Sequence, residues 1–297
     1  MSQRSTVWQQ RLARPVCLYQ MGKVGSNSLL SLLSQKLPAG TQLMYSHYLV
    51  EAFLLEMESW LGDDRWDPAW RGSVEQTIAN MRQVGQTFAA SPSRLTVVTA
   101  VRDPLAVVIS SFLQNVEGYG GALVWGSETT EAGRIELLLE FLKTQTERWA
   151  LGETGGGLAG TVTRFLLDYP AGWFDREMHA SLDVDVYSYP FPHDQGYQII
   201  STDQADVLIL RYEDFSTAIL PALHEFLGLT DVALGFHNRS EDKPTAPLAR
   251  AVRERLRVAP EVVTRIYSTR HGRHFYTQSE REQFARRWTG EPVRLAS

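Results

Sequence analysis

Val16-Cys-Leu-Tyr-Gln-Met-Gly-Lys-Val-Gly-Ser-Asn-Ser-Leu29 is the stretch from which the rest of the chain is read. Val16 to Met21 is a short apolar run that predicts a strand. Leu29, Leu30, Leu33 and Leu37 recur at helical spacing and predict a helix that Pro38 ends. Between them lies a tight Gly/Ser loop, with Ser26 in the place of an N-cap. The first-turn amides of such a helix face the loop, and the positive end of the helix dipole stands behind them, which makes an anion site. Gly22 and Gly25 let the backbone come close to a ligand. Lys23 adds a cation, and Ser26 and Ser28 add hydroxyl donors. The ATPase form of such a loop needs Gly where Cys17 stands and Ser or Thr where Val24 stands, so that form is excluded.

Two further strand ends carry chemistry. Thr41-Gln-Leu-Met-Tyr-Ser-His47 predicts a second strand that ends on a histidine. In an open α/β sheet, functional groups gather at the carboxyl ends of the strands, which puts His47 on the edge of the Lys23 loop. Leu95-Thr-Val-Val-Thr-Ala-Val101 is β-branched and short, a buried strand. It runs into Arg102-Asp103-Pro104, where Asp103 suits a helix N-cap and Pro104 the first helical position. Leu105, Val108, Ile109, Phe112 and Leu113 form the apolar stripe of that helix. Arg102, Ala106 and Ser110 align beside the stripe at four-residue steps, so Arg102 and Ser110 are expected to face one phosphate together.

These motifs resemble, in type and order, those of sulfotransferases that use PAPS (3′-phosphoadenosine 5′-phosphosulfate). Lys23, Val24, Gly25, Ser26, Asn27 and Ser28 are similar to the family's 5′-phosphosulfate loop, with Asn27 where the carbohydrate branch often has Thr. Ser46-His47-Tyr48-Leu49 is similar to the segment that carries the catalytic histidine of cytosolic members. Arg102 with Ser110 matches the family's 3′-phosphate pattern. Tyr169 to Asp175 resembles a segment whose tyrosine holds the adenine, which implies that role for Tyr169. Trp173-Phe-Asp-Arg-Glu177, Asp183 to Phe191, and Tyr267 to Tyr276 resemble a bacterial sulfotransferase-like family labelled as capsular polysaccharide synthesis proteins.

The resemblance implies an α/β, P-loop-like three-layer fold, with a central, mainly parallel sheet flanked by helices. It implies one domain over residues 1–297, with a core of about 15–230 and a helical C-terminal segment from about 235. The implied chemistry is transfer of a sulfuryl group from PAPS to an acceptor hydroxyl, leaving PAP. The acceptor favoured is a carbohydrate. His47 would be the base, Lys23 would act at the leaving oxygen, and no metal is required. Two rivals stay open: a phosphotransferase on a variant P-loop, with Asp103 or Asp214 holding Mg²⁺, and a non-catalytic capsular polysaccharide assembly protein.

Other features set bounds. A net charge of -5 over 297 residues argues against a nucleic-acid partner. Cys17 is the only cysteine, which excludes an internal disulfide and a cysteine-based zinc site. No stretch approaches the roughly 18 apolar residues of a membrane span, and the first residues lack a signal-peptide run, so the expectation is a cytoplasmic enzyme. Trp60, Trp66 and Trp70 are read as packing or as lining for an acceptor site. Residues 116–130, with Gly118, Gly120, Gly121 and Gly126, are expected to be a long loop, either an acceptor-site lid or a plain surface loop. Gly152 to Gly160 reads as a linker or turn. Arg250, Arg253, Arg255 and Arg257 read as a solvated helical face, and for Arg270 and Arg273 the sulfotransferase resemblance implies a role on the 3′-phosphate as the alternative to such a face. Thr277-Gln-Ser-Glu280 is a capping box.

Overall fold

Leu95–Val101 lies in the middle of a sheet, as its unbroken apolar run predicts, and every residue of it is buried. The structure, a computed structural model, describes residues 3–62, 64, 66–90, 94–153, 157–230 and 245–296. In chain order the elements are α1 (Gln3–Leu12), β1 (Val16–Tyr19), α2 (Ser26–Lys36), β2 (Leu43–Ser46), α3 (Glu51–Leu61) and α4 (Pro68–Ala89). Then come β3 (Leu95–Val101), α5 (Pro104–Gly120), α6 (Glu131–Ala150), α7 (Gly157–Trp173) and α8 (Ala180–Leu182). The remainder is β4 (Tyr197–Ser201), β5 (Ala205–Arg211), α9 (Phe215–Leu227), α10 (Ala246–Arg255), α11 (Pro260–Tyr267), α12 (Arg270–Phe275) and α13 (Gln278–Thr289). Contacts group the chain into two compact units. One takes in Met1–Leu54, Ile78–Arg102 and Trp173–His237; the other takes in Leu55–Thr77, Asp103–Gly172 and Asn238–Ser297.

The first unit holds the sheet, five strands in the order β2-β1-β3-β5-β4. β1 pairs in parallel with β2 and β3, β3 pairs in parallel with β5, and only β4 is antiparallel. The fold is therefore α/β with a mainly parallel sheet. The chain leaves β1 for β2 on one side and then returns to β3 on the other. That reversal puts a switch point, where α/β sheets open a crevice, between the ends of β1 and β3. The Lys23 loop follows one of these strands and Arg102 follows the other.

The opposite edge of the sheet is held by a buried charge. Asp206, near the start of β5, is 4% exposed and accepts from Arg11, Arg14 and Arg94 at 3.3, 2.9 and 2.9 Å. Ser201 donates to it as well, at 2.5 Å. Burial alone would raise the Asp206 carboxyl, but Ser201, Arg11 and Arg94 outweigh burial and hold it below its ordinary value. Arg11 also donates to the Phe226 carbonyl, and Trp8 to that of Glu225, so α1 is fastened to α9.

The second unit is helical. Leu105, Val108, Ile109 and Phe112 of α5 enter one apolar cluster with Leu138, Leu142, Val262 and Ile266. Asp103 caps α5 by accepting from the Leu105 amide at 3.0 Å, with Pro104 in the first turn, as the sequence predicts. The same carboxylate accepts from the Tyr267 hydroxyl at 2.7 Å and the Trp288 indole at 3.1 Å. Thr277 and Glu280 form the expected capping box at α13. Residues 116–130 are not a long loop: α5 runs to Gly120, and a π-helical turn carries on over Gly121–Trp125. The glycines serve packing. A Cβ at Gly118 would stand 2.2 Å from the Trp70 ring, and one at Gly120 would stand 2.2 Å from Trp125.

Trp66, 3% exposed, belongs to the apolar cluster, so it packs. The Trp60 side chain, residues 154–156 of the Gly152 to Gly160 break and the start of the tail near residue 235 lie outside the described residues, and α7 begins inside that break, at Gly157. Arg250, Arg253, Arg255 and Arg257 are exposed, in keeping with a solvated face. Among the described residues, no helix is long and apolar enough to cross a membrane.

Asp206→Asn leaves three guanidinium groups around a neutral amide. It should destabilise the chain by about 3 kcal/mol or more in chemical denaturation. An unchanged midpoint would show that the arginines are held by solvent rather than by Asp206.

Candidate functional site

The loop after β1 turns on two left-handed residues, Lys23 at φ 69 and Gly25 at φ 91. Gly25 also has no room for a side chain, because a Cβ there would stand 2.7 Å from Phe215 and 3.1 Å from Tyr212. Gly25, not Ser26, is the N-cap residue of α2, and Ser26 is the first helical residue. The helical ladder opens with the Ser28 and Leu29 amides on the Gly25 carbonyl. The Ser26 and Asn27 amides precede that ladder and have no acceptor among the described residues, as is normal for the first amides of a helix. Val24 is fully buried and anchors the loop from below.

Arg102 comes to this loop from the end of β3. Its Nη1 donates to the Lys23 carbonyl at 3.0 Å, and its guanidinium lies 4.6 Å from the centre of the Tyr212 ring. Tyr212 follows β5, so the ends of β1, β3 and β5 meet here. The rest of the guanidinium fork has no acceptor among the described residues. Because α5 begins at Pro104, Arg102 precedes the helix, and its four-residue alignment with Ser110 is not a helical one. Ser110, part-exposed on α5, and Tyr169, on α7, belong to the second unit. Tyr169 is buried there and stacks on Phe165 with ring centres 5.8 Å apart.

His47 stands one residue beyond β2. Its Nδ1 is 2.7 Å from the Gln20 carbonyl and its Nε2 is 2.9 Å from the Tyr45 hydroxyl. A carbonyl only accepts, so in the neutral ring Nδ1 carries the proton and Nε2 the lone pair. Burial lowers the His47 pKa, the Gln20 carbonyl opposes that, and the charge of Lys23 adds to the lowering. The ring is thus held neutral close to a cation. Cys17, by contrast, is pushed up to about 12 by burial and supplies no thiolate.

The segment that carries His47 is gripped from the chain's middle. Trp173, fully buried, donates its indole N–H to the His47 carbonyl at 2.9 Å. Glu177 lies in a π-helical turn after α7, the kind of irregularity that often marks a functional site. Its Oε2 accepts from the Leu49 and Val50 amides at 2.7 and 3.2 Å and from the Tyr19 hydroxyl at 2.6 Å. Burial raises this acid to about 7 against those three donors. Sequence reasoning missed Gln20, Tyr45, Glu177 and Tyr212. Of these, Tyr45 had a signal: two residues from His47 on one strand, it lies on the same face. Asp214, at the N-cap position of α9, makes no side-chain cap bond and pairs instead with buried Arg211.

Residues 162–277 match a family described as "Putative capsular polysaccharide synthesis protein". The matched stretch includes Trp173 and Glu177, which hold the His47 segment, but not the Lys23 loop, His47 or Arg102. No curated protein and no solved structure matches the chain.

A carboxyl whose folded-state pKa exceeds its unfolded value binds more protons folded than unfolded between the two. Glu177 should therefore cost stability as pH rises from about 4.5 to about 7, a loss that Glu177→Gln lacks. Urea unfolding of both proteins from about pH 5 to about pH 8 should show the wild type declining against the variant, then running parallel. A constant difference would place the Glu177 titration elsewhere.

Proposed function

We propose that the chain is a PAPS-dependent sulfotransferase acting on a hydroxyl of a carbohydrate or related acceptor. The observation that carries the reading is the meeting, at one sheet edge, of an anion-ready helix start, Lys23, Arg102 and a neutral histidine. A loop between β1 and α2 at a topological switch point is in keeping with a P-loop-like core. When bound, PAPS supplies a sulfuryl group on a phosphate leaving group. Lys23 and the Ser26 and Asn27 amides offer fixed positive charge to the negative charge that grows on the leaving oxygen. Ser28 adds a hydroxyl donor. Arg102, oriented by the Lys23 carbonyl and by Tyr212, presents the rest of its fork to a phosphate, which suits PAPS over ATP. Resemblance alone assigns Ser110 to that phosphate and Tyr169 to the adenine. His47 accepts the proton of the acceptor as general base.

The phosphotransferase rival loses support from its two carboxylates. Asp103 is occupied by Tyr267, Trp288 and the α5 cap, and Asp214 by Arg211. The second reading is a polysaccharide assembly protein without sulfuryl transfer. The description of the matched family, capsular polysaccharide synthesis, is in keeping with it.

Calorimetric titration of PAP, ADP and Mg·ATP tests the reading. PAP should bind best, and Arg102→Ala should weaken it about tenfold or more, the worth of a charge-assisted bond. Stronger binding of Mg·ATP would overturn the reading in favour of phosphoryl transfer, and no binding at all would favour the assembly protein. Where transfer occurs, its rate should fall on acidification with a midpoint below about 6.5, since burial and Lys23 lower His47. A pH profile with a midpoint above that value would rule out His47 as the base.

A further inference from the structure

A neutral imidazole has one basic nitrogen to offer, and in His47 that nitrogen is taken. Nδ1 holds its proton on the Gln20 carbonyl, and Nε2 receives the Tyr45 hydroxyl at 2.9 Å. The two rings meet edge-on, with centres 5.1 Å apart and planes at 73°. Tyr45 is itself part-exposed, one strand over from the loop, with Leu18 as its partner in register. Its hydroxyl is also near the start of α2: burial raises the phenol, and the Ser26 side chain opposes that. A hydroxyl that donates to Nε2 keeps two lone pairs of its own, so it can accept a proton as it gives one.

We propose that Tyr45 is a catalytic residue that meets the acceptor hydroxyl and passes its proton to His47. This inference rests on the sulfotransferase reading. The acceptor oxygen forms the new O–S bond while the bond from sulfur to the bridging phosphate oxygen breaks. The electron pair of the broken bond stays on the phosphate oxygen, beside Lys23. The acceptor's proton goes to the Tyr45 oxygen, and the phenolic proton goes to His47 Nε2. Tyr45 ends neutral, and His47 ends as imidazolium with Nδ1–H still on Gln20. Neither side chain has to move, because the second transfer runs along a hydrogen bond that is already made.

Tyr45→Phe keeps the ring and removes only the hydroxyl. Two readouts are needed, one of them independent of turnover. Nitrogen-15 NMR of the ligand-free protein should show His47 protonated at Nδ1 in both forms, with the Nε2 resonance shifted in the variant. Turnover is read as PAP formed from PAPS with water as the acceptor. It should fall about 100-fold or more in Tyr45→Phe, the usual scale of a lost proton-transfer group, with PAP affinity changed less than about threefold. Rates in mixtures of light and heavy water should curve for the wild type, as two protons in flight require, and run straight for the variant. Tyr45→Phe turnover within about threefold of wild type, with PAP still bound, would overturn the relay alone and leave His47 as the direct base. An unshifted Nε2 resonance would overturn it as well. A wild type that neither binds PAP nor forms it from PAPS would overturn the sulfotransferase reading, and the relay with it.

Discussion

β1 is hydrogen-bonded on both sides by strands that run the same way as itself. Parallel pairing forces the carboxyl ends of β2, β1 and β3 onto one edge, and the crossover to either side of β1 opens a gap between them. Everything distinctive about the site follows from that constraint. The Lys23 loop, His47 and Arg102 are far apart in sequence, yet each is the first thing the chain does after leaving a strand. Two hydrogen bonds then set their spacing: Arg102 on the Lys23 carbonyl and His47 on the Gln20 carbonyl. Both acceptors are main-chain atoms, so they do not depend on the identity of a neighbouring side chain.

Buried acids do the corresponding work away from the loop. Asp206 neutralises arginines from α1 and from the approach to β3, and so keeps the opposite edge of the sheet closed. Glu177 does something subtler. One of its oxygens gathers three donors, while the other is buried with no partner among the described residues. The acid is therefore uncomfortable in its charged form, and it is retained at the point where the His47 segment must be held. A glutamine would satisfy the amides of Leu49 and Val50 but would bury an amide N–H₂ in place of an oxygen.

Local signals were legible in the sequence. β3, the Asp103 cap with Pro104, the capping box at Thr277 and the strand–loop–helix over 16–37 depend on residues a few positions apart, and all stand as read, with cap and end positions shifted by a few residues. The 116–130 stretch failed for a physical reason. Glycine was taken as freedom, whereas at Gly118 and Gly120 it is clearance for tryptophan rings that sequence alone does not bring near. Glu177 was equally hidden, since it meets Leu49 across a separation of 128 residues. Tyr212 carries no local signal of its role, and only the stacking of Arg102 on its ring gives it a place at the site.

The interleaving of the two units has a consequence for synthesis. The first unit is built from three stretches, and β3 finds its partner β5 only after α5, α6 and α7 have been made. A nascent chain that has reached the end of α7 carries β1, β2 and β3 with one flank of β3 still bare and with neither Glu177 nor Asp206 in existence. Such a chain exposes an apolar, unpaired edge for the whole time that the middle helices are being translated. Assembly of the site is a late event, tied to the emergence of residues 173–215, and a truncated product would present the His47 segment without Trp173 and Glu177, which hold it.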